Sequence, residues 1–486
     1  MHPRHSIFDS CLRLSSKRWK AFLLMISALL TACSTPPPHE RPALDVPTTY
    51  KQGVQGSAVW QTAQPQDSVP GPWWTLFADP ALDALQERAA SGNQNVALAV
   101  ARLRAARAAL DSAGAAGLPS LGATASSTRA RSGTTADNTT QARTRNSQAL
   151  GLNASWELDL WGRLSGGVDA ARASAEASAG DLAAMRLSVQ ATVVQTYFAL
   201  RAAEAQVLLL DDTLTAYERS WQLTRNRQRA GVASAADVAQ AEAQYKSTQV
   251  QRLEAQTSRA QLEHALVALT GQAPAALSVP ATAELPAPPA VPAQLPSRLL
   301  ERRPDIAAAQ QRVAAANAQI GVAQAAFFPA VTLSGAAGYR GTELSSLLNA
   351  PNLFWSLGPA VAVSLFDGGA RSAAVESARA THDQAVASYR QTVLTALQEV
   401  EDNLAAATAL EREQQLQAEA VAAAQRALDV VGNQYRAGTV GYLNVLTAQT
   451  TVLSAQRNLI DVRSRRLAAV NMLLKNVAGS WAAERL

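Results

Sequence analysis

Aromatic residues make up only 5% of the 486 residues, and cysteine occurs twice, as Cys11 and Cys33. A chain so poor in large rings and so rich in alanine favours long, closely approaching helices over a bulky globular core, although 48% hydrophobic residues leave ample material to bury. With Cys11 inside an N-terminal leader, the remainder has no cysteine pair, which excludes a disulfide framework and a thiolate metal site. Beyond the leader the only histidines are His39, His264 and His382, and the only methionines are Met185 and Met472. His264 and His382 lie in polar helical settings and read as solvated residues. No HExxH, nucleophile elbow or P-loop occurs, so the reading is of a protein that is not an enzyme and holds no metal. A thioether relay for copper or silver has nothing to be built from.

Arg4, Arg13, Lys17, Arg18 and Lys20 precede the apolar run "AFLLMISALLTA", Ala21 to Ala32. This is the pattern of a secretory signal over residues 1–32, too short to span a bilayer as a helix. Removing its five basic residues and one acid from the 43 and 38 of the whole chain leaves 38 and 37, a formal +1. A basic nucleic-acid surface has no support in that balance, and no nucleic-acid motif revives it. Leu30-Thr31-Ala32-Cys33 resembles the lipobox of bacterial lipoproteins, in which the cysteine is acylated and becomes the first residue. Cys33 is therefore the expected lipid attachment site and this lipid the only expected covalent group; an ordinary signal peptide with an incidental cysteine is the alternative. By the same resemblance, Ser34 implies sorting to the outer membrane. Residues 33–72, opening on "STPPPHERPALDVP", read as an extended tether.

Compared with itself, the chain repeats. "NVALAVARLRAARAALDSAGAAGLPSL" from Asn95 matches "DIAAAQQRVAAANAQIGVAQAAFFPAV" from Asp305, pairing Arg102 with Arg312 and Pro119 with Pro329, and "RAGVASAADV" from Arg229 matches "RAGTVGYLNV" from Arg436. A repeat this long is a duplicated domain. The expected organisation is a first repeat over 73–272, a proline-rich linker over 273–296, and a second repeat over 297–486. Each repeat reads as helix, two strands, long helix and second helix. Proline is absent between Ser120 and Ala273 and after Pro359, which removes the main helix breaker. Gly167 to Arg229 could run as one helix of about 95 Å. Val189, Val193, Leu200, Ala203, Val207 and Leu210, and in the second repeat Val393, Leu397, Val400, Leu404 and Ala407, step by three and four as coiled-coil-like seams. Gly231 and Gly438 follow arginine-containing last turns and fit helix ends closed by a left-handed glycine. Second helices then run over about Ala233 to Thr270 and Tyr442 to Val477, so each repeat carries a helical hairpin with its tip at that glycine.

The strands carry a second period. In "ALGLNASWELDLWG", Leu150, Leu152, Ala154, Trp156, Leu158 and Leu160 share one parity, and Gly151, Asn153, Ser155, Glu157 and Asp159 the other. Val331 to Arg340 alternates likewise, Leu353 to Leu365 supplies another apolar parity, and a weaker strand spans about Ser120 to Arg131. Half-buried strands of a soluble sheet would show the same alternation. Strands of about ten residues between polar loops also fit a membrane β-barrel. No segment beyond the leader reaches the roughly 18 apolar residues of a spanning helix. Four strands are too few to close a barrel, whose small natural limit is about eight, so subunits would have to pool them. Asn153, Ser155, Glu157 and Asp159 would then face a water-filled lumen, with Trp156 and Trp161 as interfacial anchors.

"WWTLFADPALDALQERAASGNQNVALAVARLRAAR" from Trp73, "RRPDIAAAQQRVAAANAQIGVAQAAFFP" from Arg302 and "SLFDGGARSAAVESARA" from Ser364 together make the chain resemble TolC-like outer-membrane efflux proteins, most closely the lipoprotein branch serving resistance-nodulation-division pumps. The resemblance implies a mostly α protein with membrane β structure: a homotrimer whose four strands per chain make a twelve-stranded β-barrel in outer-membrane lipid, continued by a long α-helical barrel into the periplasm. It implies a periplasmic adaptor and an inner-membrane pump as partners, both docking at the hairpin tips, for which Gly231, Val232, Gly438 and Thr439 are the candidates. The family often places an aspartate before an Ala-Gln pair just after the second tip. Thr447 stands there in "GYLNVLTAQTT", so the expected periplasmic gate is Tyr442, Leu443 and Thr447, with Asp237 of the first half as the nearest carboxylate. The implied function is a passive duct exporting drugs or other toxic small molecules. A protein-secretion duct and a non-conducting periplasmic scaffold lipoprotein are the alternatives.

Overall fold

The structure is a computed structural model and describes residues 42–43, 60–62, 72–131, 133, 144–282, 285–289, 291–293 and 303–477. The leader, Cys33, most of the tether and residues 478–486 lie outside the described residues. Seven α-helices are described: α1 Pro80–Gly92, α2 Gln94–Ala115, α3 Arg163–Arg229, α4 Ala235–Leu269, α5 Pro304–Ala325, α6 Ala370–Arg436 and α7 Tyr442–Val477. The strands are β1 Trp60–Thr62, β2 Ser120–Arg131, β3 Thr144–Leu158, β4 Val291–Ala293, β5 Ala330–Gly341 and β6 Leu353–Ala362. Helices α2 and α5 both have 22 residues, β2 and β5 both have 12, and α3 and α6 both have 67, each pair beginning 210 or 207 residues apart. The element order of the first half thus returns in the second.

The chain folds into two compact units, and each draws on both halves. Among the described residues, one holds 105–176 and 310–387, and the other holds 60–104, 177–309 and 388–477. In the first lies an antiparallel sheet of order β2-β3-β5-β6, so the two halves meet at the β3–β5 ladder, where Trp156 pairs with Leu333 and Leu150 with Tyr339. Strands β2 and β6 are its edges. No described helix is long and apolar enough to cross a membrane.

In the second unit the helices pack along the stripes their sequences mark. Val189, Val193, Leu200, Ala203 and Leu210 of α3, with Val393, Val400, Leu404 and Ala407 of α6, are buried, while Val207 and Leu397 are half-buried. Helix α1 starts at Pro80 because Asp79 accepts from the Ala81 and Leu82 backbone N–H groups, at 3.0 and 3.3 Å, which satisfies donors a first turn leaves orphaned. Its last residue, Gly92, touches the turn after α4 so closely that a β-carbon there would fall on the Thr270 carbonyl. Gly271, with φ at 77°, makes the same approach from the other side. Strands β1 and β4 add a short parallel pair.

Candidate functional site

The sheet's two faces can be read row by row from its register. On one side lie Leu158, Val331 and Val361; then Trp156, Leu333 and Pro359; then Leu121, Ala154, Gly335 and Leu357. Ala123, Leu152, Ala337 and Trp355 make the fourth row, and Ala125, Leu150, Tyr339 and Leu353 the fifth. These five rows are apolar, and polar rows begin only beyond them with Ser127 and Gln148, yet Leu121 is 73% exposed, Trp355 76% and Leu357 69%. A single chain leaves this face uncovered, and it leaves the β2 and β6 edges with unpaired backbone groups. Exposed apolar faces and long open edges together are a liability that a folded protein removes by closure or association.

Asn153 and Ser155 lie on the opposite face, where Ser155 pairs with Ser120 and Ser334, and the Asn153 amide donates to the Thr124 hydroxyl at 3.2 Å. Glu157 shares that face but is claimed by Arg163, whose guanidinium donates to both carboxylate oxygens at 2.7 and 2.8 Å. Asp159 corrects the sequence reading. It lies beyond the end of β3, and its carboxylate accepts from the Leu164 and Ser165 backbone N–H groups at 3.0 and 2.7 Å, tying down the first turn of α3. Alternation carries no sign of where a cap takes over from a ladder. Trp156 and Trp161 donate to the carbonyls of Gly117 and Pro329, and Trp161 stacks on Phe328 with ring centroids 5.0 Å apart.

The hairpin tips are built alike. After α3 the Gly231 N–H reaches the Gln228 carbonyl and the Val232 N–H the Arg227 carbonyl, both at 2.9 Å; after α6 the Gly438 and Thr439 N–H groups reach Tyr435 and Gln434 at 3.0 Å. These are Schellman closures, and they need left-handed backbone at φ values of 74° and 78°, which glycine adopts without strain. Gly231, Val232, Gly438 and Thr439 are all exposed.

One expected gate residue is placed otherwise, and another doubles as a cap. Tyr442 is 2% exposed and packs edge-on against Tyr435, with Ala241 and Val445 in the same cluster and its hydroxyl accepting from Ser220 at 3.4 Å. An aromatic ring at the start of a helix beside a second hairpin finds more apolar surface inward than outward, so it lines no opening in the chain. Asp237 is half-exposed and near enough to Tyr442 for its charge to add to burial in pushing that phenol up. It also caps its own helix: it accepts from the Ser234 N–H at 3.0 Å while the Ser234 hydroxyl accepts from the Asp237 N–H at 3.1 Å, a capping box. The 207-residue offset sets it opposite Asn444 and not Thr447. Leu443 and Thr447 remain exposed on successive turns of α7, the Thr447 hydroxyl donating to the Leu443 carbonyl.

The sequence reading missed what braces this region. Arg227 lies over the Tyr435 ring at 4.7 Å and donates to the Tyr435 carbonyl, and Trp221 stacks on Tyr245. It also missed a buried polar network. Arg201 donates to Glu204 at 2.8 Å, to the Pro280 carbonyl at 2.6 Å and to the Tyr197 hydroxyl at 3.0 Å, and Tyr197 donates to Asp79. Burial and the bond to Asp79 push the Tyr197 phenol up to about 12, which keeps it a donor. Glu204 also accepts from the Thr282 N–H, and Arg259 joins it to Glu263. Burial alone would raise Glu263, but the Val279 N–H, the Arg259 charge and the Ser278 hydroxyl outweigh it and hold that carboxyl low. In the second half Arg303 spans Asp305, Glu399 and Asn476. The clue was an arginine and a glutamate three apart within a stripe that otherwise reads as apolar.

The comparisons agree with this geometry. A model of the family described as outer membrane efflux protein matches residues 85–272 and 295–479. The chain is 33% identical over 462 residues to a probable efflux pump outer membrane protein, TtgC, of Pseudomonas putida, spanning 94% of this chain and 95% of that relative. It is 32% identical to the outer membrane protein OprJ of Pseudomonas aeruginosa, over 94% and 95% of the two chains. The solved structure of the outer-membrane channel OprN is similar with a TM-score of 0.85 at 31% identity, covering 92% of this chain and 100% of that one.

Proposed function

The chain belongs to the outer membrane efflux protein family, and from that premise we propose that its copies form the passive outer-membrane duct of a tripartite efflux pump. Three copies pool their strands into one twelve-stranded β-barrel in the outer membrane, and their long helices form an α-helical barrel in the periplasm. The observation that carries the reading is the two-faced sheet with both edges open. In hydrocarbon every backbone polar group needs a partner, and four strands cannot supply one to each edge. An antiparallel four-stranded sheet repeated around a ring pairs β6 of one copy with β2 of the next, turning the apolar rows to lipid and the hydroxyl-bearing face to water.

Within that reading, Leu443 and Thr447 narrow the periplasmic mouth while Tyr442 packs behind them, and the exposed turns at Gly231–Val232 and Gly438–Thr439 receive the adaptor. A closed ring of hairpins opens if the open form gains adaptor contacts that the closed form lacks. Purified trimers are expected to conduct ions in planar bilayers. Replacing Gly231 and Gly438 together by arginine is expected to abolish pump-dependent resistance while the trimer persists on gels; undiminished resistance would place the docking surface elsewhere. Cys33 carries the lipid in this account, supported by its lipobox-like setting. Labelled palmitate should enter the native protein and not Cys33→Ala, and equal labelling of both would remove the anchor.

A further inference from the structure

The lumen-side face of the sheet is nearly free of charge along its central rows. Its central rows hold Thr124, Gly151, Asn153, Ser155, Ser334 and Ser356, all small and neutral. The one carboxylate that the described strands place on that face, Glu157, is neutralised by the two-pronged Arg163 bond. Two cations remain. Arg340 pairs across the ladder with Ala149, and Arg145 with Ala130, four residues further along β3 towards the strand loops.

Arg340 is held in place. Its guanidinium carbon lies 4.9 Å from the centroid of the Phe354 ring, a distance at which a cation is attracted to the ring face. Phe354 pairs with Gly338, and Gly338 with Gly151, so the ring and the guanidinium lie over two residues with no side chain to displace them. Neither Arg340 nor Arg145 has an ion-pair partner among the described residues. Glu343, the nearest carboxylate in sequence, is exposed and makes no ion pair with Arg340.

From this arrangement we propose that the distal mouth of the duct is a binding site for small polyvalent anions, formed by Arg340 and Arg145 of three copies. The inference rests on the trimeric duct proposed above. Closure of the barrel brings three Arg340 and three Arg145 side chains onto one wall, and a low-dielectric wall focuses their field into the water it surrounds. The guanidinium fork suits carboxylates and phosphates, with paired donors that one carboxylate or phosphate can fill. An anion leaving the neutral stretch below meets Arg340 first and Arg145 about 13 Å further on, at roughly 3.3 Å per residue. Successive weak sites of this kind draw anionic cargo outward without trapping it, whereas cations are repelled at both arginine levels. Screening over about 10 Å at 0.1 M salt makes the effect strongest in dilute electrolyte.

The test uses purified full-length trimers in planar bilayers, with citrate as the probe anion. In 0.1 M KCl, citrate added to the compartment facing the strand loops is expected to reduce the current, and citrate on the opposite side to act more weakly. Arg340→Gln should raise the half-blocking concentration about tenfold, Arg145→Gln about threefold, and Arg340→Lys much less than Arg340→Gln. Block should fade in 1 M KCl. Should Arg340→Gln fail to yield trimers, native protein and Arg145→Gln still decide the matter. Conducting native channels that citrate does not block from the loop side, or equal block of native protein and both glutamine variants, would overturn the anion site and leave the duct standing. Trimers that pass no ions at all would overturn the duct and this site with it.

Discussion

Replacing Glu204 by leucine is expected to lower the stability of the helical unit by about 3–5 kcal/mol, because it leaves the Arg201 guanidinium buried without its carboxylate. Arg201 is 2% exposed and Glu204 4%, so water cannot stand in for the missing partner. The loss should appear as a lower unfolding temperature of detergent-solubilised trimers and as faster proteolysis around residues 277–282, since Glu204 also holds the Thr282 N–H. The comparison that identifies the cause is the double change Arg201→Met with Glu204→Leu. A buried ion pair exchanged for apolar groups of like volume is often neutral, so the double variant should recover most of the lost stability. Glu204→Leu within about 1 kcal/mol of the native protein would mean that the network holds nothing in place.

The second large effect separates two neighbouring residues. Ala154 lies in the middle of the five apolar rows, and Asn153 beside it points to the other face. Ala154→Arg should cost about 2–4 kcal/mol per chain, the range for arginine on a lipid-facing barrel position near the midplane, and the penalty recurs in each of three copies. Asn153→Arg faces water and should assemble normally. The measurement is the yield of heat-resistant trimer in outer-membrane fractions. Equal yields would reverse or abolish the assignment of the faces, and with it the barrel.

The elements most open to sequence reading were those governed by period and by breakers. The proline-free stretches gave α3 and α6, Gly231 and Gly438 gave the hairpin tips, and strict alternation gave β3 and β5, because each depends on local geometry alone. The cap at Asp159 escaped notice since its parity matched the strand, and what ended the ladder was two backbone N–H groups five and six residues ahead. Tyr442 was misjudged for a different reason. Whether an aromatic at a helix start turns to solvent or to the adjoining hairpin depends on Tyr435 and Ala241, which lie far from it in the chain or on another helix. Arg201 and Glu204 look like a solvated pair until the linker carbonyl of Pro280 and N–H of Thr282 arrive to complete their surroundings. The linker itself read as a connector by composition, and its role in the network depends on main-chain groups that no side-chain pattern reveals.

The pairing of Trp156 with Leu333 has a consequence for biogenesis. During export the ribbon made by β2 and β3 reaches the periplasm long before its next partner, and a lone two-stranded hairpin is marginal in water. Its greasy side therefore travels unprotected until the far half of the polypeptide has been delivered. Insertion is in this sense an event of the finished chain, and holdase chaperones that shield nascent β-ribbons should matter more to this protein than to barrels whose neighbouring strands emerge in succession.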